Sequence, residues 1–155
     1  MAPFTSQPAL AFAHAAREYC EFIEEAPTLA LQVRLLRARR HLLALYAAGA
    51  ELPQLPPSRE AERPSPEPPA GWQGFEDFEH YFEVFDPYID EANVGGSLSD
   101  DLLDVYGDIH RGLQSWDGDD RDNAVWEWRF LFECHWGDHA ADAIRALHRA
   151  CIRAR

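Results

Sequence analysis

Residues 97–116 read SLSDDLLDVYGDIHRGLQSW. At about 100° per residue, Leu98, Leu102, Val105, Tyr106, Ile109, Leu113 and Trp116 share one face of a helix. Asp100 and Asp104 point nearly the opposite way, while Asp101 and Asp108, seven residues apart, lie on a flank nearer the apolar face. Ser97 with an acid three residues later has capping-box-like spacing, and Asp100 and Asp101 suit the positive end of the helix dipole. The segment is an amphipathic helix, and its neighbours are read outward from it.

On the C-terminal side, Asp117-Gly-Asp-Asp predicts a turn, and a long helical stretch follows from about Asn123, bent or broken at Gly137. Its apolar face holds Val125, Trp128, Phe132, Trp136, Ala143 and Leu147. His135, His139 and Asp142 line one flank of that face at spacings of four and three, with Asp138 further out. On the N-terminal side, Gly95-Gly96 predicts a loop, and Phe75, Phe78, Tyr81, Phe82 and Phe85 predict a short aromatic helix stopped at Asp86-Pro87. Residues 51–71 carry seven prolines among Ser and Glu, which predicts a flexible or polyproline-like connector. Before it, Pro8 opens a helix with Phe12, Tyr19, Phe22 and Ile23 on one face. After Pro27, Thr28 is read as the cap of a second helix ending near Gly49. No β alternation of useful length is evident. The expected fold is all-α: one helical domain over residues 1–155, a bundle of five to six helices with a Pro-rich connector.

Composition bounds function. The chain has 155 residues and a net charge of −13, and arginine is its sole basic residue apart from histidine. Such acidity repels phosphate backbones and anionic membranes, so neither nucleic acid nor a membrane is an expected partner. Three scattered cysteines match neither a zinc spacing nor a secreted disulfide framework, no apolar run is long enough to cross a membrane, and no secretory leader is evident, so a cytoplasmic location is expected. The acid is concentrated: residues 71–110 hold eleven acidic residues and no arginine. Arg34, Arg37, Arg39 and Arg40 of the second helix are its expected partners; otherwise the segment is a surface for a basic protein or a divalent cation.

One constellation can carry chemistry. Asp101 and Asp108 on one helix and His135 and His139 on another are candidate metal ligands, with Asp104, Asp138 and Asp142 as further members of a polar network. Imidazole with carboxylate suits zinc, manganese or iron better than calcium. A metal there could activate water for hydrolysis with a spare carboxylate as base. In a plainer arrangement, the two histidines hydrogen-bond Asp101 or Asp108 and lock the helices together. The poor helix formers Gly107, Gly112 and Gly137 predict close approach by neighbouring chain, and hence partly buried carboxylates that need a partner.

The run Ser97 to Leu113, then Trp126-Glu-Trp-Arg-Phe130, His135-Trp-Gly-Asp-His-Ala140, Tyr19-Cys20-x-x-Ile23 and Leu45-Tyr46…Leu52-Pro53 resemble a bacterial helical family known as a domain of unknown function, DUF5063. The resemblance implies a compact helical fold and brings no activity, cofactor or site residue with it. Three readings follow. The preferred one is a non-enzymatic binding or regulatory protein whose acidic segment meets a basic partner, an immunity-type inhibitor of a toxin being one form. The second is a metal-dependent hydrolase with an Asp/His site between two helices, and the third is a purely structural Asp–His network.

Overall fold

The computed structural model describes residues 6–59 and 62–155. Ser6 accepts a hydrogen bond from the Ala9 amide and Pro8 sits in the first turn, so α1 spans Gln7–Glu25. Pro27 ends it in a 3-10 turn, Ala26–Thr28. Thr28 does not cap the next helix: its hydroxyl donates to the Glu25 carbonyl at 2.8 Å, and α2 begins later, spanning Leu31–Ala50. The Ser97 hydroxyl accepts from the Asp100 amide, and α3 runs Leu98–Asp117. α4 spans Arg121–Cys134 and α5 spans Trp136–Arg153. The break between them falls at His135 (φ −147°, ψ −84°), two residues before the expected point.

α3 is the central element, packing on α1, α4, α5 and the strands described below. Its apolar face is buried as the wheel predicts, against Phe12, Tyr19 and Ile23 of α1 and Val125 and Trp128 of α4 in one continuous core. Three large aromatics in that core satisfy their polar ends on backbone. The Tyr19 hydroxyl donates to the Leu102 carbonyl at 2.7 Å, Trp128 Nε1 to Ile109 at 3.3 Å and Trp136 Nε1 to Trp128 at 3.0 Å. Gly112 is required by the second of these, because a Cβ there would stand 1.9 Å from Trp128 Nε1.

The aromatic segment corrects the expected helix. Residues Glu76–Phe78 form a 3-10 turn and β1, His80–Glu83, pairs antiparallel with β2, Val94–Ser97, in the register Tyr81↔Gly96 and Glu83↔Val94. Only Phe75 of the five aromatics is fully buried, and Phe82 and Phe85 are 78% and 80% exposed, so no apolar helical stripe exists to be covered. Aromatic residues favour a half-buried strand equally well, and the expected glycine loop is the second strand.

The connector is extended, without helix or strand over its described residues; residues 60 and 61 lie outside them. Leu52 is buried, the Ser58 hydroxyl donates to Asn123 Oδ1 at 2.7 Å, and Ser65 accepts from Arg111 Nη1 at 3.3 Å. The strap thus crosses α3, and Ser65 lies over Gly107. Arg34 donates to the Leu29 carbonyl and Arg37 pairs with Glu25, so these two arginines are engaged away from the acidic segment. Arg39 and Arg40 form no ion pair among the described residues. The expected pairing of α2 with residues 71–110 is therefore absent among the described residues. No helix among them is long and apolar enough to cross a membrane.

Candidate metal centre

Asp101 and Asp108 lie two helical turns apart on the flank of α3 that meets α5, and both are buried. His139 Nδ1–H donates to Asp101 Oδ1 at 2.9 Å, and His135 Nδ1–H donates to Asp108 Oδ2 at 2.6 Å. Each aspartate has a second donor: the Tyr81 hydroxyl on Asp101 and Arg111 Nη2, at 2.6 Å, on Asp108. A carboxylate accepting two bonds is the form these surroundings suit. Burial pushes both carboxyls up from their ordinary value, and the histidine bonds offset part of that.

With Nδ1 committed, the atom left to each imidazole is Nε2. His139 Nε2 is 3.4 Å from Asp104 Oδ2. One ligand atom each from Asp104, His135 and His139 can be chosen so that all three lie within 4.8 Å of one another. The wheel had turned Asp104 away from the site, because it measures angle about the axis of α3 and omits the reach of a histidine from α5. Asp104 is half exposed, and His139 is drawn towards it. The bond to Asp101, opposed by burial and aided by the charge of Asp104, holds the His139 imidazole above its ordinary value.

The hairpin closes the other side. A Cβ on Gly96 would meet the Tyr81 ring at 2.6 Å, so the missing side chain is what lets the ring lie across β2 and reach Asp101. The Tyr81 hydroxyl also lies 3.1 Å from Glu83 Oε2. Glu83 in turn hydrogen-bonds Asp142, and burial, that bond and the surrounding carboxylates push Asp142 up to about 7. Glu79 anchors the hairpin to the start of α3: its carboxylate accepts from the Ser97 hydroxyl at 2.8 Å, the Ser99 amide at 3.0 Å and the Phe75 amide at 2.8 Å.

All four candidate ligands therefore converge, with Asp101 and Asp108 as hydrogen-bond partners of the two histidines. Asp104 joins the cluster, Asp142 joins Glu83 beside it, and Asp138 stays exposed on the rim of the adjoining groove. Tyr81, Glu83, Glu79 and Arg111 were not legible as site residues. Their available signal was the alternation of Tyr81 and Glu83 opposite Gly95-Gly96, which is a strand-pairing pattern.

The fold and cluster define an all-helical bundle with a small hairpin laid over an Asp/His centre. Residues 72–152 match the family model described as a domain of unknown function (DUF5063), and the chain belongs to that family. The matched region contains the hairpin, α3, α4 and every residue of the cluster. Among solved structures the chain is similar to protein BF1032 of Bacteroides fragilis, with a TM-score of 0.75 and 18% identity over 94% of this chain and 92% of that one. At that identity the likeness concerns the fold alone. No curated protein in the comparison matches.

Proposed function

We propose that Asp104, His135 and His139 hold a divalent cation, zinc, manganese or iron, and that the chain is a metal-dependent hydrolase. One observation carries this reading: both imidazoles have Nδ1 tied to a buried carboxylate, which leaves Nε2 as the free ring nitrogen, that of His139 lying 3.4 Å from Asp104, and Asp104, His135 and His139 offer ligand atoms within 4.8 Å of one another. Metal-binding histidines are oriented in this way, and the bonded carboxylate raises their basicity. The 3.4 Å between His139 Nε2 and Asp104 matches the roughly 3.3 Å edge of a tetrahedron with metal–ligand bonds of about 2.0–2.1 Å. His135 is 42% exposed at its side chain, so its unbonded ring edge is open to solvent and to a cation.

Three protein ligands leave a position open for water, which a bound metal acidifies towards neutrality. The hydrogen-bonded carboxyl pair of Glu83 and Asp142 supplies a general acid or base for that position. Asp101 and Asp108 serve the ligands rather than acting as ligands, and with Tyr81 and Arg111 they explain why polar groups are buried here at all.

Metal content of protein purified without an affinity tag, with thermal shifts against Zn²⁺, Mn²⁺ and EDTA, tests the proposal. Near one metal per chain and a shift abolished by Asp104→Asn or His139→Ala are expected, as is hydrolysis of a p-nitrophenyl ester that EDTA stops. No metal and no shift would overturn it. The basic-partner reading draws on the exposed acids Asp90, Glu91 and Asp100. Co-purification of a basic protein, weakening steeply with salt, tests that one. The buried thiols Cys20 and Cys151 support a reducing, cytoplasmic setting.

A further inference from the structure

A groove of about 1110 Å³ runs between the hairpin and α5, and the metal-ligand candidates His135 and His139 line one end of it. The remainder is built differently. Its hairpin side mixes apolar residues, Phe82 and Phe85 largely exposed and Val84 half exposed, with the polar Asp77, His80 and Glu83. Its α5 wall carries Arg145, Arg149 and Arg153, spaced four residues apart and therefore in a row along one side of the helix. In a chain of net charge −13, a row of three arginines is a local concentration of positive charge, in a groove that also holds the acids Asp77, Glu83, Asp138 and Asp142. None of the three forms an ion pair among the described residues. Exposed aromatic rings and guanidinium groups without an ion pair line the same groove, and together they suit an amphipathic anion, since guanidinium pairs bidentately with phosphate or carboxylate and aromatic side chains bury a flat body.

From this we infer that the groove takes a small organic anion: its apolar body lies on Phe82 and Phe85, and its phosphate or carboxylate lies on Arg145 and Arg149, with Arg153 at the far end. The inference rests on the metal reading for one point only, that the bond to be cleaved is held at the His135–His139 end. At 1.5 Å per residue, Arg145 and Arg149 stand about 9 and 15 Å along α5 from His139. The substrate class is therefore an elongated molecule whose anionic group is roughly 9–15 Å from its reacting bond. The acidic end of the groove, at Asp138 and Asp142, repels that anionic group and sets the direction in which the ligand lies.

The test uses 1-naphthyl phosphate, inorganic phosphate and 1-naphthol as probes, titrated by calorimetry into the full chain with excess Zn²⁺ and again with EDTA. We expect 1-naphthyl phosphate to bind at least tenfold more tightly than either fragment. The double variant Arg145→Ala/Arg149→Ala is expected to lose tenfold or more, and Phe82→Ser/Phe85→Ser a similar factor. All four side chains are exposed, so the variants retain the fold, and far-UV circular dichroism verifies it. Equal binding of 1-naphthol and 1-naphthyl phosphate, or binding indifferent to the arginine pair, overturns the inference. Zinc affinity is read separately. Arginine-dependent binding that persists in EDTA, in a protein that takes up no zinc, supports the groove and removes the metal reading; zinc uptake without arginine-dependent binding removes the groove alone.

Discussion

Asp108→Asn separates a metal-orienting carboxylate from a merely structural one. The wild-type carboxylate accepts one bond from His135 Nδ1–H and one from Arg111 Nη2, each at 2.6 Å, while almost wholly buried. An asparagine oxygen keeps one of these, and its amide hydrogens face the other donor. A hydrogen bond to a charged group contributes about 1.5–3 kcal/mol, and relief from burying a charge offsets part of its loss. The metal-free variant should therefore be less stable by about 1–3 kcal/mol. That much follows from either reading. Under the metal reading the imidazole also loses its orienting partner, which lowers metal affinity about 10–100-fold. At zinc about one hundred times the wild-type constant, a 10–100-fold loss of affinity cuts the stabilisation by metal from about 2.7 to about 1.4–0.4 kcal/mol, so the variant gains about 1.3–2.3 kcal/mol less than wild type. Urea denaturation of both proteins, in EDTA and in zinc at about one hundred times the wild-type constant, measures both quantities, the wild-type gain being about 2.7 kcal/mol. If zinc stabilises the variant as much as it stabilises wild type, Asp108 does not orient a ligand.

Gly112→Ala places a methyl group 1.9 Å from Trp128 Nε1. Helix propensity favours alanine by about 1 kcal/mol, but overpacking and the lost bond to Ile109 outweigh it, and urea titration should show a net loss of about 1–3 kcal/mol rather than a gain. Gly96→Val drives the Tyr81 ring off β2 and away from Asp101; we expect about 1–3 kcal/mol of destabilisation and weaker zinc binding, while a variant with wild-type zinc affinity would detach Tyr81 from the site. For Glu79, burial alone would raise the carboxyl, but the bonds from Ser99, Ser97 and Phe75 outweigh it and hold the group below its ordinary 4.5. A depressed folded value means the anchor is fully present above 4.5 and is lost as pH falls through the lower folded value. Hydrogen-exchange protection of the Ser99 amide should fall with pH in that range in wild type, and Glu79→Gln should lack that pH-dependent step.

The helices were legible where a single face decides burial. Leu98 through Trp116 follow the wheel, and Ser97 caps as its spacing predicts. The buried flank of Asp101 and Asp108 was readable for the same reason, whereas the close approach of another backbone expected at Gly107 and Gly112 is instead the Trp128 ring at Gly112 and an ordinary contact with the Ser65 side chain at Gly107. Residues 75–85 were not. Aromatics at spacings of three and four satisfy a helical template, and only the pairing partner, eleven to seventeen residues on, turns them into a strand. Asp104 is exposed, as its place on the wheel predicts, but a one-helix projection contains no information on which side chain from α5 can reach it. Arg34 was expected to neutralise acid and instead donates to the Leu29 carbonyl and lies over the Phe75 ring. Long-range partners of this kind are set by packing and leave no local signature.

The central claim is that His135 and His139 present Nε2 to a cation shared with Asp104. A crystal structure of zinc-loaded protein, with diffraction measured on both sides of the zinc absorption edge, tests it most directly. The expected result is an anomalous peak about 2.0–2.2 Å from both Nε2 atoms and an Asp104 oxygen, with the Asp101 and Asp108 bonds to Nδ1 intact. Saturating zinc that leaves no peak between these three residues, or a peak bound through Asp101 or Asp108 instead, would contradict it.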